Sequence, residues 1–176
     1  MTEKLSESAP EIRPGEASIA LPSHTDAGLY FIGRIRTPWT ERRQAPKNAR
    51  EARERGDICT VEVDPRYEKA LAGVETCSHL ILLYWMDRAR RDLVVQAPAH
   101  YKEGRGTFAL RSPVRPNPIA MSVVKLVKAE GTKLQVVGVD CLDGTPLLDI
   151  KPYFASADAI PDATVGWHQK ERAADA

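Results

Sequence analysis

"IAMSVVKLVKAEGTKLQVVGVDCLDGTPLLDIKPY" (119–153) decides the fold. Three β-branched runs, "IAMSVVKLVKAE", "LQVVGVDC" and "LLDIKPY", are separated by "GTK" and "LDGTP". Apolar residues alternate with polar ones at the strand period, and Gly and Asp-Gly punctuate them as turns, which predicts an antiparallel meander. Upstream, "ICTVEVD" (58–64) alternates strictly, and "SHLILLYWM" (78–86) reads as a buried strand. "GLYFIGRIRTPW" from Gly28 gives another strand, ended at Thr37-Pro38, and "TFALRS" a short one. So many strands need their edges covered. The expected class is therefore mainly β, a single-domain antiparallel β-barrel with short helices and long loops. No strand leads into a Gly-rich turn and a long helix, which excludes a dinucleotide-binding βαβ unit.

Between the strands, the polar block 40–57 predicts a loop with a short helix after Pro46, and "RYEKALAGVE" a short helix. Segment 87–107 reads as a long irregular loop. Residues 1–26 mix Ser, Glu and Pro without periodicity and are expected to be a mobile arm, with the domain over 27–170 and a tail at 171–176.

A chain of 176 residues suits one domain, and its net charge of +1 generates no field that alone implies nucleic acid. Cys59, Cys77 and Cys141 are odd in number and lack a C-x-x-C spacing, which points away from a disulfide framework and toward a reduced, cytoplasmic setting. The first residues lack an apolar h-region, and the longest apolar run, 80–86, is too short to span a bilayer. His24, His79, His100 and His168 show no ligand spacing, so no metal is expected. His79, beside the apolar run, reads as a core histidine.

"RSPVRPNPIAMS" (111–122) sets three prolines beside two arginines. Pro113, Pro116 and Pro118 fix φ and push their predecessors toward extended backbone, so the loop is shaped before any ligand arrives. Arg111, Arg115 and Asn117 on such a loop are either pre-positioned binding groups or solvated side chains on a rigid connector. Asp143-Gly144 is open to two readings as well, a hairpin turn or a ligand-facing carboxylate. Trp39 stands beside the arginine-rich block and suits stacking on a base, whereas Trp85 within "LLYWM" suits the core. Arg42, Arg43, Lys47, Arg50, Arg53 and Arg55 can track phosphates, or, with three interspersed glutamates, form a solvated face.

"FALRSPVRPNPIAMSVVKL" and "DCLDGTPLLDIKPY" together resemble the TrmO family, also called TsaA-like or VirR-like, whose strings run close to RSPxRPNPIGxS and DxxDGTPxxDIKPY. "GRIRTPW", "GVETCSHLILLYWM" and "GWHQK" extend the resemblance over roughly residues 28–170. It implies a dimeric β-barrel methyltransferase that uses S-adenosylmethionine on a threonylcarbamoyl-adenosine beside the anticodon of tRNA. Carried over by position, the cofactor contacts are Arg42, Arg43, Gln44, Met86, Asp87, Arg111, Met121, Leu142, Asp143, Gly144 and Thr145. Chemically, Arg111 suits the cofactor carboxylate, Asp143 its ammonium or ribose, and Met121 and Leu142 its adenine. Asp143, Asp149 and Tyr153 are the candidates for a catalytic base. The chain departs from the family strings at Val114, Ala120, Arg42 and Met86-Asp87, and it ends soon after the matched region, where enterobacterial members carry a further domain. Two other classes stay in view: an S-adenosylmethionine-binding β domain that acts on or senses a small molecule, and an RNA-binding barrel without cofactor.

Overall fold

The computed structural model describes residues 12–98 and 103–168; His100, the first eleven residues of the expected arm and the tail 171–176 lie outside the described residues. In chain order the elements are β1 (Ala17–Ser18), β2 (Gly33–Arg36), α1 (Ala49–Arg55), β3 (Ile58–Val63), β4 (His79–Trp85), β5 (Leu93–Gln96), β6 (Arg105–Gly106), β7 (Ile119–Glu130), β8 (Lys133–Val137), β9 (Thr145–Pro152) and α2 (Ala155–Asp158). They fall into two compact units, one of residues 26–87 and 119–168, the other of 12–25, 88–98 and 103–118.

The larger unit is a closed six-stranded barrel in the order β2-β3-β8-β7-β4-β9, with β9 returning to pair with β2. Every pairing is antiparallel. Alternation sends Cys59, Val61 and Val63 of β3, Leu80, Leu82 and Tyr84 of β4, and Leu134 and Val136 of β8 into the interior. Ile35, Val124 and Leu147 join them with no exposed surface. Each such aliphatic side chain contributes about 1.5–3 kcal/mol by leaving water.

The expected meander is half right. β7 and β8 form a hairpin across Gly131, at φ +53°. β8 and β9 are not neighbours: the chain leaves β8 at Gly138 (φ +109°) and crosses to the gap between β2 and β4. The Asp143-Gly144 turn is thus a crossover, not a hairpin, though Gly144 does adopt the positive φ (+78°) its sequence suggested.

The helix after Pro46 is α1. Asn48 accepts from the Glu51 amide at 3.0 Å to cap its start, and Gly56, in left-handed conformation, ends it. "RYEKALAGVE" forms two 3₁₀ turns, Pro65–Leu71 and Val74–Thr76, because Gly73 at φ +90° interrupts any longer helix.

The smaller unit corrects the reading of 87–107 as a loop. β1, β5 and β6 make a three-stranded sheet, which also takes in part of the segment expected to be an arm. "TFALRS" is no strand: Thr107–Ala109 is a 3₁₀ turn. Thr107 is buried and donates its hydroxyl to the Leu93 carbonyl at 2.9 Å.

Candidate functional site

The Asp143 turn is held almost entirely by β2 and the three residues that follow it. The Thr37 amide donates to one Asp143 carboxylate oxygen at 3.0 Å, and the Arg36 guanidinium stands 3.7 Å from the other. The Asp143 amide donates to the Trp39 carbonyl and the Gly144 amide to the Ile35 carbonyl, each at 2.9 Å. Arg34 in turn donates to the Gly144 carbonyl at 2.9 Å. Thr145 is buried, with its hydroxyl turned back to the Leu142 carbonyl at 2.7 Å. Arg36 also donates to Glu62 at 2.8 Å, which holds the Glu62 carboxyl below the usual range.

Trp39 is a correction. It is 4% exposed, lies in the barrel core and donates its indole N–H to the Cys141 carbonyl at 2.5 Å, so it offers no face to a base. Trp85 is half-buried at the end of β4, on the outward side of the strand. His79 is half-buried beside Ser78 and faces outward too, rather than into the core.

Arg42, Arg43 and Gln44 follow Trp39 on an exposed turn. Gln44 builds that turn, its side-chain oxygen accepting from the Thr40 and Glu41 amides at 3.0 and 3.1 Å, and Arg43 pairs with Glu41 at 2.6 Å. In the basic block, Arg50 pairs with Glu54 and Arg55 with Glu51.

A second group gathers on the β4–β7–β9 ladder. Met121 of β7 and Asp149 of β9 both lie opposite Leu83 of β4, in one row across the outer face. Met121 is exposed, Met86 is half-buried against the core just past β4, and Asp87 is exposed. Asp149 is paired with Lys151 at 2.6 Å. Tyr153 lies beyond β9, its amide on the His79 carbonyl, eight residues and about 25 Å of strand from Thr145. The structure therefore does not bring the three candidate bases together; only Asp143 stands in the turn.

Arg111 is an exposed residue of the smaller unit. There the proline loop is pinned as its composition suggested, although Arg115 is consumed in doing so. Its guanidinium donates to the Thr107 and Leu110 carbonyls at 3.0 and 2.7 Å. Gln96 donates to the Val114 carbonyl at 2.6 Å, and Arg91 to the Pro116 carbonyl at 2.6 Å and to the Asn117 side-chain oxygen at 3.4 Å.

Sequence reasoning passed over Tyr84, Ser122 and Asp140. The Tyr84 hydroxyl lies 2.9 Å from the Ser122 hydroxyl and 3.0 Å from an Asp140 carboxylate oxygen. Ser122 and Asp140 are the closing Ser and opening Asp of the two motif strings, which was the available signal.

A groove of about 390 Å³ on the barrel unit is lined by Ile32, Tyr67, Leu71, Val74 and Cys77 among others, and shares only Asp149 with these groups. Among the described residues no cluster of His, Cys, Asp or Glu could hold a metal, and no helix is long and apolar enough to cross a membrane. The donor set of the turn fits adenosylmethionine in kind: Leu142 is half-exposed, and the Asp143 side chain stays 33% exposed despite its two partners.

A small closed barrel with an arginine-proline loop and a pinned Asp-Gly crossover defines a class. Residues 34–159 match the tRNA-methyltransferase O N-terminal domain, and the chain belongs to the TrmO family. It is 49% identical over 141 residues to a probable S-adenosyl-L-methionine-binding protein, VirR, of Rhizobium radiobacter, covering 80% of this chain and 79% of the relative. With the tRNA (adenine(37)-N6)-methyltransferase of Escherichia coli it shares 32% identity over 152 residues, covering 82% and 65% of the two chains. The crystal structure of TrmO from Pseudomonas aeruginosa superposes with a TM-score of 0.66 at 36% identity, over 81% of this chain and 62% of that one.

Proposed function

We propose that this chain transfers a methyl group from S-adenosylmethionine to N6 of an adenosine in tRNA, and that the adenosine is the threonylcarbamoyl-modified one beside the anticodon. Cofactor dependence and methyl transfer follow from membership of the TrmO family. The observation that carries the reading is the Leu142–Thr145 crossover, fixed by β2 yet left open at Leu142 and Asp143.

Bound adenosylmethionine supplies a methyl group made electrophilic by its sulfonium. The chain's part is to hold donor and acceptor in line and to take the proton that N6 sheds. On the barrel unit Asp143 would accept from the cofactor ammonium or ribose and Leu142 and Met121 would wall the adenine, while the family resemblance gives Arg111 the carboxylate. Arg42, Arg43, Gln44, Met86, Asp87, Gly144 and Thr145 complete the set. Asp143, Asp149 and Tyr153 stay the candidates for that proton, with Asp143 serving only if it is not the cofactor's partner. Arg42, Arg43, Gln44, Asp87, Arg111 and Met121 are exposed, whereas ligand sites usually enclose most of their ligand, so a second copy of the chain completes the site. Light scattering that found only monomer with cofactor present would remove the dimer.

The test is transfer of labelled methyl from adenosylmethionine to tRNA with and without the threonylcarbamoyl group. Label on the modified tRNA alone supports the full reading, and label on both supports a plainer adenosine acceptor. One observation favours a small-molecule acceptor instead: Arg43, Arg50 and Arg55 are already matched by carboxylates. Cofactor binding with no label on any tRNA would establish that alternative. The cytoplasm is the expected setting for a tRNA substrate.

A further inference from the structure

The barrel interior is mostly apolar, and the Tyr84 and Ser122 hydroxyls are among the few polar groups buried in it. Tyr84 is 2% exposed and Ser122 1%, and they sit among Leu80, Leu82, Val124 and Leu147. Tyr84 lies opposite Ala120 on β7, so it reaches Ser122 diagonally across the same inner face. A phenol has one proton, and it goes to the Asp140 carboxylate; Ser122 must therefore donate to Tyr84. The chain of bonds runs Ser122 to Tyr84 to Asp140.

Buried polar groups cost stability unless all are satisfied, and an aliphatic residue at 84 would fill the interior with no such demand. What the trio does instead is join segments. Ser122 adjoins Met121, Tyr84 precedes Met86 by two residues, and Asp140 precedes Leu142 by two. β4 is paired to β7 and, from Leu147 onward, to β9, while the Asp143 and Gly144 amides just ahead of β9 are held by β2 and its continuation. Tyr84 adds a side-chain tie from that ladder to Asp140, at the start of the segment that β4 does not pair with.

We infer that Tyr84 is a positioning residue, whose hydroxyl sets the Leu142–Thr145 crossover against the Met121 segment of β7. The inference rests on the cofactor site proposed above. Burial and the neighbouring Asp140 push the Tyr84 phenol well above its ordinary range, so the tie holds throughout neutral pH.

Tyr84→Phe keeps the ring and deletes the tie. It is expected to weaken adenosylmethionine binding about tenfold by calorimetry, the scale of one charge-assisted hydrogen bond, with kcat at saturation little changed. Leu82→Val, a neighbouring core change matched for loss of thermal stability, is expected to leave the affinity alone. Equal shifts in both variants, or none in Tyr84→Phe, overturn the inference. Ser122→Thr keeps a hydroxyl and should retain affinity that Ser122→Ala loses, which covers the case where Tyr84→Phe folds poorly. Hydrogen exchange without ligand separates this inference from the functional reading. Amides of Asp143 and Gly144 should exchange faster in Tyr84→Phe, while those of the β3–β8 ladder stay protected. If wild type binds no adenosylmethionine, the proposed function falls and the exchange pattern alone decides the role of Tyr84. Unchanged exchange at Asp143 and Gly144 sinks it.

Discussion

The Trp39 indole reaches 102 residues along the chain to donate to the Cys141 carbonyl, tying the exit of β2 to the crossover from inside the core. Trp39→Phe keeps most of the apolar bulk but leaves that buried carbonyl without its donor. The expected loss is about 1–3 kcal/mol of unfolding free energy, read from the urea midpoint at constant m. A variant as stable as wild type would show that the indole bond contributes nothing net.

Arg111 is assigned the cofactor carboxylate, so Arg111→Ala should weaken adenosylmethionine binding by roughly 1.5–3 kcal/mol. Stability should barely change, because the side chain is exposed. Equal affinity in calorimetry would take Arg111 out of the site.

Alkaline pH should destabilise the fold before it reaches most side chains. Burial raises the Cys59 thiol to about 11, the Cys141 thiol further, and the Tyr84 phenol well above its usual range. In each case the unfolded chain loses its proton first. Stability is therefore intact below the ordinary thiol pKa and falls as pH climbs from about 8.5 toward 11, by up to about 1.4 kcal/mol per pH unit for each group titrating. Urea midpoints at pH 7.5 and 10 would show it, and Cys141→Ala should shallow the slope. A flat profile would mean these groups are not buried in solution.

Neutralising Arg42, Arg43 and Arg50 together tests the basic block. If it grips tRNA, log affinity should lose salt dependence, by about one unit of slope for each phosphate contact removed. Glu41 and Glu54 already neighbour Arg43 and Arg50, so the change should fall short of three units. A comparable drop in adenosylmethionine affinity would instead place Arg42 or Arg43 against the cofactor.

The longer strands were legible because each repeats its pattern, although β2, expected from Gly28, begins only at Gly33, and β8, expected to run on to Cys141, ends at Val137. β7 spans 119–130 as its alternation predicts, and β3 and β4 differ from expectation by a residue or two. The helix after Pro46 was legible from its boundary residues. Two-residue strands such as β1 and β6 carry no period to read, so their sheet looked like loop. Trp39 was misplaced because arginines nearby in sequence say nothing about a partner at position 141. The Tyr84 trio was missed for a related reason: register decides which residues share an inner face, and no single strand announces it. The motif strings marked Leu142–Thr145, yet the Thr37 and Arg36 contacts to Asp143 come from a different strand.

The position of β9 between β2 and β4 also governs when this protein can exist during its own synthesis. Arg34 and Gly144 bond across 110 positions. Until residues 145–152 leave the ribosome, β2 and β4 each present an unpaired edge, and nothing made earlier can seal them. Closure is thus a late, long-range event, of the kind that slows folding and leaves sticky edges waiting. A nascent chain stalled before Thr145 would hold five of the six staves and no vessel.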